Sequence, residues 1–170
     1  MAINKIQSES INLADTFAFT GTVTGAGGVN TPAFMAYNGA DQTIANTTVT
    51  QITFTESYDS DSAFASNTFT VPSGKAGKYW IGANLMFYNT AGDLNMAIVY
   101  VQKNGSQALY IREQADSNIW YQKGIHVFGT LDLAVNDAIT VSVYIQQGSG
   151  TTTVNDGASE SFFHGYKIIT

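Results

Sequence analysis

The sequence predicts an all-β fold of the β-sandwich class. Three observations support this: no window has a helical period, about eight to ten short segments have strand-like composition, and turn residues separate them at regular spacing. At 170 residues the chain is long enough for one domain with a hydrophobic core. We divide it into an N-terminal arm, residues 1–30, and a sandwich domain, residues 31–170.

The arm differs in character from the rest of the chain. Its large apolar residues alternate along the segment, which then closes with a glycine-rich run; they are Ile11, Leu13, Phe17, Phe19 and Val23. This pattern predicts an extended segment that docks against another surface and ends in a flexible joint. A disordered tail is the alternative, because chain termini are often loose.

The strand that organises the domain runs from Lys78 to Tyr88, after a strand at Thr68–Val71 and a turn at Pro72–Gly77. One of its faces carries Tyr79, Ile81, Ala83, Leu85 and Phe87, and the other carries Trp80, Gly82, Asn84, Met86 and Tyr88. An antiparallel sheet that covers one core normally leaves its other face polar. We therefore expect a second copy of the chain to cover the outer face.

The remaining strands follow from alternation and turn residues. We predict strands at Pro32–Tyr37, Thr47–Thr55, Leu94–Lys103, Gln107–Glu113, Ile125–Val135, Ala138–Gln146 and Glu160–Ile169. The hairpin signals are Asn104–Gly105 and Asn136–Asp137. We predict loops at 114–122, at 147–159 and at 56–67, the last with Tyr58 and Phe64 as aromatic anchors.

The composition points to burial between subunits. Charged residues make up only 12% of the chain and hydrophobic residues 44%, against a usual charged share of about 25%. Strand 94–103 is also apolar on both faces. Trp80, Met86, Tyr88 and Tyr100 are the predicted interface residues.

Charge and motifs exclude several classes of function. With a net charge of −6 and only seven Lys and Arg residues, we expect no nucleic-acid partner. No segment is long and apolar enough to predict a membrane span, and the chain has no cysteine. The histidines, His126 and His164, both lie in predicted strands, and no hydrolase or metalloprotease motif occurs, so we predict a non-enzymatic protein.

Two loops carry residues suited to binding. Trp120 and Tyr121, beside Asp116 and Asn118, resemble the aromatic and polar groups that recognise a sugar; the alternative is that both rings fill the sandwich edge or a subunit interface. We predict no cofactor. Asp59 and Asp61, with Glu56 nearby, offer oxygen ligands of the kind calcium takes, although a solvated acidic loop is the favoured interpretation.

The order and spacing of several short motifs are similar to the C1q-like domain of the C1q and tumour-necrosis-factor superfamily. The matching residues are Pro32–Phe34; Phe69, Pro72, Gly77, Tyr79 and Ile81; Lys103–Gly105; Leu131, Leu133, Asn136 and Asp137; and Phe163, Gly165 and Tyr166. Ile81 replaces an aromatic residue and Asn136 a glycine. The resemblance implies a ten-stranded jelly-roll sandwich that assembles as a homotrimer. Calcium binding is known in some relatives.

The arm also resembles leader segments that precede small C1q-like domains in tailed phages. This second resemblance implies a virion protein on the particle surface, a capsid decoration, head fibre or tail-fibre component. Residues 1–30 would contact other virion proteins, and the trimer would be available to a host-surface glycan. The alternative function is a soluble carbohydrate-binding module.

Overall fold

The computed structural model describes residues 30–116 and 120–168, where all helix or strand structure is β-strand. The strands are β1 (Ala33–Tyr37), β2 (Gln42–Ile44), β3 (Thr50–Gln51), β4 (Thr55–Asp59), β5 (Phe64–Ala65), β6 (Thr68–Thr70), β7 (Gly77–Asn89), β8 (Leu94–Lys103), β9 (Ser106–Gln114), β10 (Gln122–Leu133), β11 (Ala138–Gln147), β12 (Thr152–Val154) and β13 (Phe162–Lys167). They form two antiparallel sheets around one core, which confirms the predicted all-β sandwich. The predicted arm, except Asn30, lies outside the described residues. Within the described ranges there is no helix that could cross a bilayer.

The first sheet is built around β7, its longest strand. One edge of β7 pairs with β10 along its whole length. The other edge pairs with β13 through residues 79–84 and with β12 through residues 87–89. Beyond these strands, β1 and β4 extend the sheet from β13, and β2 extends it from β12.

The second sheet has the order β5-β6-β11-β8-β9, with β3 paired to β11. Its β8–β9 hairpin, at one end of that order, turns at Asn104 and Gly105, whose φ angles are 52° and 77°. Positive φ at both central residues matches the right-handed twist of the flanking strands, and Asn-Gly adopts it at low cost. The hairpin predicted at this dipeptide is confirmed.

Alternate residues of both sheets fill the space between them. The predicted inner face of β7 is confirmed, because all five of its residues are buried: Tyr79, Ile81, Ala83, Leu85 and Phe87. Phe34 stacks on Phe69 with ring centroids 4.5 Å apart, and Phe163 meets Phe34 edge-on at 4.9 Å. These contacts between strands distant in sequence hold the two layers together.

A buried carboxylate ties the β8–β9 hairpin to the β10–β11 turn. Asp137 accepts hydrogen bonds from Lys103 Nζ, from Asn104 Nδ2 and from the Ala134 amide, each at 2.7 Å. The hydrogen bond from Lys103 is the main cause that lowers the pKa of Asp137, against the opposing effect of burial. The end of the second sheet is thus fixed by contacts inside one protomer.

The segment between β1 and β6 departs from the prediction. Of the expected strand 47–55, only Thr50–Gln51 forms β3; Thr47, with φ 56°, is not extended, and Thr55 already belongs to β4. The expected loop 56–67 contains β4 and β5, and only one of its two aromatic anchors is buried: Phe64 is 6% exposed, whereas Tyr58 is 53% exposed. Strand β12, in the expected loop 147–159, was also missed.

Candidate functional site

The outer face of the first sheet collects aromatic and imidazole side chains from three strands. Because β10 and β13 flank β7, their outward residues fall into three rows: Thr130, Trp80 and Tyr166; Phe128, Gly82 and His164; His126, Asn84 and Phe162. We call this surface the aromatic face.

The largest rings of the aromatic face are incompletely covered by the protomer. Phe128 stacks on Trp80 with ring centroids 5.4 Å apart, yet 62% of Phe128 is exposed. Tyr166, at the other side of Trp80, is 38% exposed. A phenyl ring has no polar atom to interact with water, so its exposure is unfavourable by roughly 25 cal/mol per Å² of apolar surface.

A shallow pocket of roughly 140 Å³ lies at the centre of this face, with Gly82 as its floor. A Cβ atom on Gly82 would lie 2.9 Å from His164 Nε2 and 3.2 Å from Phe128 Cβ. Because Gly82 has no side chain, the His164 ring can pack directly over β7. Phe162 and His126 complete the walls, with the Phe162 and His164 ring centroids 5.6 Å apart.

The aromatic face carries no carboxylate in these three rows. Burial lowers the pKa of His164, so its imidazole is held toward the neutral form. Charged residues flank the face at both ends: Lys78 and Asp132, one row beyond Trp80, pair with each other at 2.8 Å, and Glu160 lies next to Asn84, from which its backbone carbonyl accepts a hydrogen bond. These three rows are therefore rich in aromatic rings and carry no Asp, Glu, Lys or Arg side chain.

The four predicted interface residues lie on two different surfaces. Trp80, Met86 and Tyr88 project from the outer side of β7, on or next to the aromatic face. Tyr100 projects from the outer side of the second sheet, where it stacks on Tyr110 at 6.3 Å. We call that second surface the tyrosine face; its members are Tyr100, Tyr110, Tyr144, Ile98, Gln102 and Arg112.

The predicted sugar-binding residues are only partly brought together. Trp120 is half-buried against the core, bridges to Leu94, and has Lys123 Nζ 4.8 Å from its ring centroid. Lys123 also pairs with Glu113 at 3.1 Å, so an ion pair covers one side of the indole. Tyr121 is 61% exposed and Asp116 is exposed. Asn118 lies outside the described residues.

The carboxylates considered for calcium are engaged by protein donors. Asp59 accepts hydrogen bonds from the amides of Asp61, at 3.2 Å, and Phe64, at 2.7 Å. Asp61 pairs with Lys75 at 3.1 Å, and a hydrogen bond from Ser60 is the main cause that lowers the pKa of Asp61. In residues 30–116 and 120–168, no group of three or more histidine or acidic side chains is placed to hold a metal ion.

The sequence did not identify four side chains of the site: Phe128, Phe162, His126 and His164. Each of the four lies at an outward position of its strand, and alternation within the strand predicts that position. Which strands flank β7 depends on pairing between distant segments, and alternation carries no information about that.

Solved structures show the same fold. The globular domain of the zebrafish complement 1qA protein aligns with TM-score 0.57 and 11% sequence identity, covering 81% of this chain and 97% of that one. Murine APRIL, crystallised at pH 5.0, aligns with TM-score 0.60 and 11% identity, covering 80% of this chain and 98% of that one. No protein-family model matches the sequence, and no curated protein matches it. The sandwich therefore has a C1q/TNF-like fold.

Proposed function

We propose that this chain is a non-enzymatic structural and recognition module that works as a homotrimer, with the aromatic face buried between subunits. The observation that carries the proposal is the aromatic face itself. It places Phe128, 62% exposed, beside Trp80 on a surface whose three rows carry no carboxylate. The resemblance of the sequence to the C1q and tumour-necrosis-factor superfamily supports a trimer over other oligomeric states.

A closed trimer requires a contact between two different surfaces of each protomer. The aromatic face is one of them, and it meets another part of the neighbouring copy. Stable contacts of this kind bury about 800 Å² per partner, with aromatic residues at the centre. Trp80 and Phe128 suit that central position, because aromatic anchors commonly dominate the binding energy.

Light scattering of the purified chain tests the assembly. We expect a particle of about three times the 18.2 kDa chain mass at micromolar concentration. A stable species of 18.2 kDa under the same conditions would contradict the proposal. The measurement needs no ligand, so its outcome does not depend on what the trimer binds.

We propose further that the trimer belongs to a tailed-phage virion, as a capsid decoration, head fibre or tail-fibre component on the particle surface. The support is the resemblance of residues 1–30 to phage leader segments. Those residues would attach the trimer to other virion proteins. Binding to capsids or tails that is lost when residues 1–30 are deleted supports this role.

A soluble carbohydrate-binding module is the alternative, and the exposed ring of Tyr121 is the feature that favours it. A glycan array separates the two roles. Saturable sugar binding that Trp120→Ala or Tyr121→Ala abolishes, without attachment to virions, supports the module. If sugar binding accompanies attachment through residues 1–30, the trimer is a virion part that also recognises the host surface.

A further inference from the structure

The only two histidines of the sequence, far apart in the chain, both line the pocket of the aromatic face. His164 projects from β13 over Gly82, and His126 projects from β10 beside Asn84. His126 is exposed in the protomer, and His164 is half-buried. If the aromatic face is buried between subunits, both imidazoles are buried with it.

Within residues 30–116 and 120–168, the strand positions paired with His164 carry no acidic side chain that could pair with an imidazolium ion. Its neighbours across the sheet are Gly82 on β7 and Met35 on β1, and its neighbours along β13 are Phe162 and Tyr166. On β4, the residue paired with Met35 is Tyr58. Glu160, which precedes β13, accepts a hydrogen bond from Asn84 through its backbone carbonyl, and its side chain is exposed.

The surroundings of His126 are similar. Gly124 and Phe128 are its outward neighbours on β10, and Asn84 is its partner on β7. Strand β9 lies beside β10 and carries Arg112 and Glu113. Of these, Glu113 pairs with Lys123 at 3.1 Å.

We propose that His126 and His164 make association through the aromatic face sensitive to pH, so that neutral imidazoles fit the contact and protonated ones open it. The inference rests on the proposed function, because it needs a second copy on this face. An ion buried without a partner is strongly unfavourable. A closed trimer places six imidazoles at its contacts, so small effects at each one add together.

The direction of the pH dependence follows from linkage. Burial between subunits disfavours the imidazolium form, so separated protomers bind more protons than assembled ones. Association is strongest where the imidazoles are neutral and weakens as the pH falls. Burial already lowers the pKa of His164 in the protomer, so for this residue the transition lies below about 6.5, the usual imidazole value.

Sedimentation of the whole chain at a series of concentrations, between about pH 7.5 and pH 5.0, tests the inference. We choose this window because carboxylates of ordinary pKa stay mostly ionised in it. We expect the concentration at which half the protein is assembled to rise at least about tenfold toward pH 5.0. In the double variant His126→Gln/His164→Gln, which has no histidine, we expect the dependence to disappear.

The outcomes separate this inference from the proposed function. A trimer that is equally stable across the window leaves the proposed function standing and overturns the pH sensitivity. A monomer at every pH contradicts both. A pH dependence that persists in the double variant assigns the effect to other titrating groups and overturns the role of the histidines.

A second measurement applies whether or not the double variant folds. The titration of His164 in the wild-type chain, followed by NMR above and below the association concentration, should show a lower pKa in the assembled form. An unchanged titration on assembly would overturn the inference. His164→Phe supplies a further check, because it keeps a ring over Gly82 and should remain assembled at the acid end of the window.

Discussion

The two outer faces of the sandwich are similar in exposure and different in chemistry. Phe128 on the aromatic face is 62% exposed, and Tyr110 on the tyrosine face is 57% exposed. Tyr100, Tyr110 and Tyr144 each carry a hydroxyl group, and Arg112 stands among them. The aromatic face instead combines phenyl and indole rings with a glycine-floored pocket. Exposure alone therefore does not separate the two faces; the aromatic face differs in that its exposed phenyl ring, Phe128, has no polar atom and its three rows carry no Asp, Glu, Lys or Arg side chain.

This comparison narrows the expectation drawn from the sequence. Strands 78–88 and 94–103 both looked apolar on two faces, and a second copy was expected to cover the outer residues of each. The outer residues of β8 lie beside polar neighbours, since Ile98 is paired with Arg112 and Tyr100 with Ser142. Such a surface tolerates water. The aromatic face is the stronger candidate for burial between copies.

The largest effect should come from a charge on the aromatic face. Phe128→Asp places a carboxylate where a second copy would bury the ring, and aromatic anchors contribute about 2 kcal/mol or more, so association should weaken at least about 30-fold. Light scattering at fixed concentration should then give a monomer of 18.2 kDa. The matched variant Tyr110→Asp makes the same change on the tyrosine face and should stay trimeric.

The reverse result would contradict the assignment of the interface to the aromatic face. If Tyr110→Asp releases monomers and Phe128→Asp remains trimeric, the tyrosine face is the interface. If both release monomers, the trimer contact joins the two faces heterologously, and Tyr100 keeps its predicted role. Circular dichroism of each variant separates loss of assembly from loss of folding.

Alternation and turn chemistry predicted much of the fold. The parity of residues 79–87 gave the inner face of β7 correctly, and Asn104–Gly105 gave the correct hairpin, because both signals are local. The prediction for residues 47–59 was wrong. Ile52 and Phe54 are buried, but most of their neighbours do not pair, whereas Thr55–Asp59 pairs with β1. Pairing between distant strands was invisible to the local pattern.

The site was predictable only in part for the same reason. Trp80, Met86 and Tyr88 were correctly placed on the outer side of β7, because parity along one strand decides that. The approach of Phe128 and His164 to Gly82 depends on β10 and β13 flanking β7. A pocket assembled from three distant segments has no signature in any one of them.

The next largest effect concerns the second sheet and should be confined to the protomer. Asp137→Asn removes a charge-assisted hydrogen bond with Lys103, so the free energy of unfolding should fall by about 1.5–3 kcal/mol at neutral pH. The pKa of Asp137 is lowered in the folded state. Its stabilisation is therefore present above the unfolded carboxyl value of about 3.9 and is lost as the pH falls through the folded value. Urea unfolding of the wild type and the variant measures the loss of stability at neutral pH and its disappearance at strongly acid pH.

Asp132→Asn is the control for that variant. Asp132 pairs with Lys78 at 2.8 Å, but the two side chains are 74% and 53% exposed, and exposed pairs contribute about 0–1 kcal/mol. Equal losses in the two variants would show that burial of Asp137 does not matter. Folded Asp137→Asn protein should assemble like the wild type, because the change alters neither outer face.

The smallest effect, and the sharpest test of the pocket, is a single methyl group. In Gly82→Ala the new Cβ would lie 2.9 Å from His164 Nε2 and 3.2 Å from Phe128 Cβ, so the imidazole must move outward into the space that a second copy would occupy. We expect protomer stability to change by under about 1 kcal/mol, since the ring can rotate away, and association to weaken about tenfold. Gly124→Ala is the matched control. Gly124 lies on β10, on the same outer face of the first sheet as Gly82. A Cβ atom on Gly124 would contact only Met86 Cε, at 3.5 Å, which is an ordinary distance. If both variants assemble like the wild type at every concentration, the pocket is not filled by a neighbouring copy, and the contact must lie toward Trp80 and Tyr166.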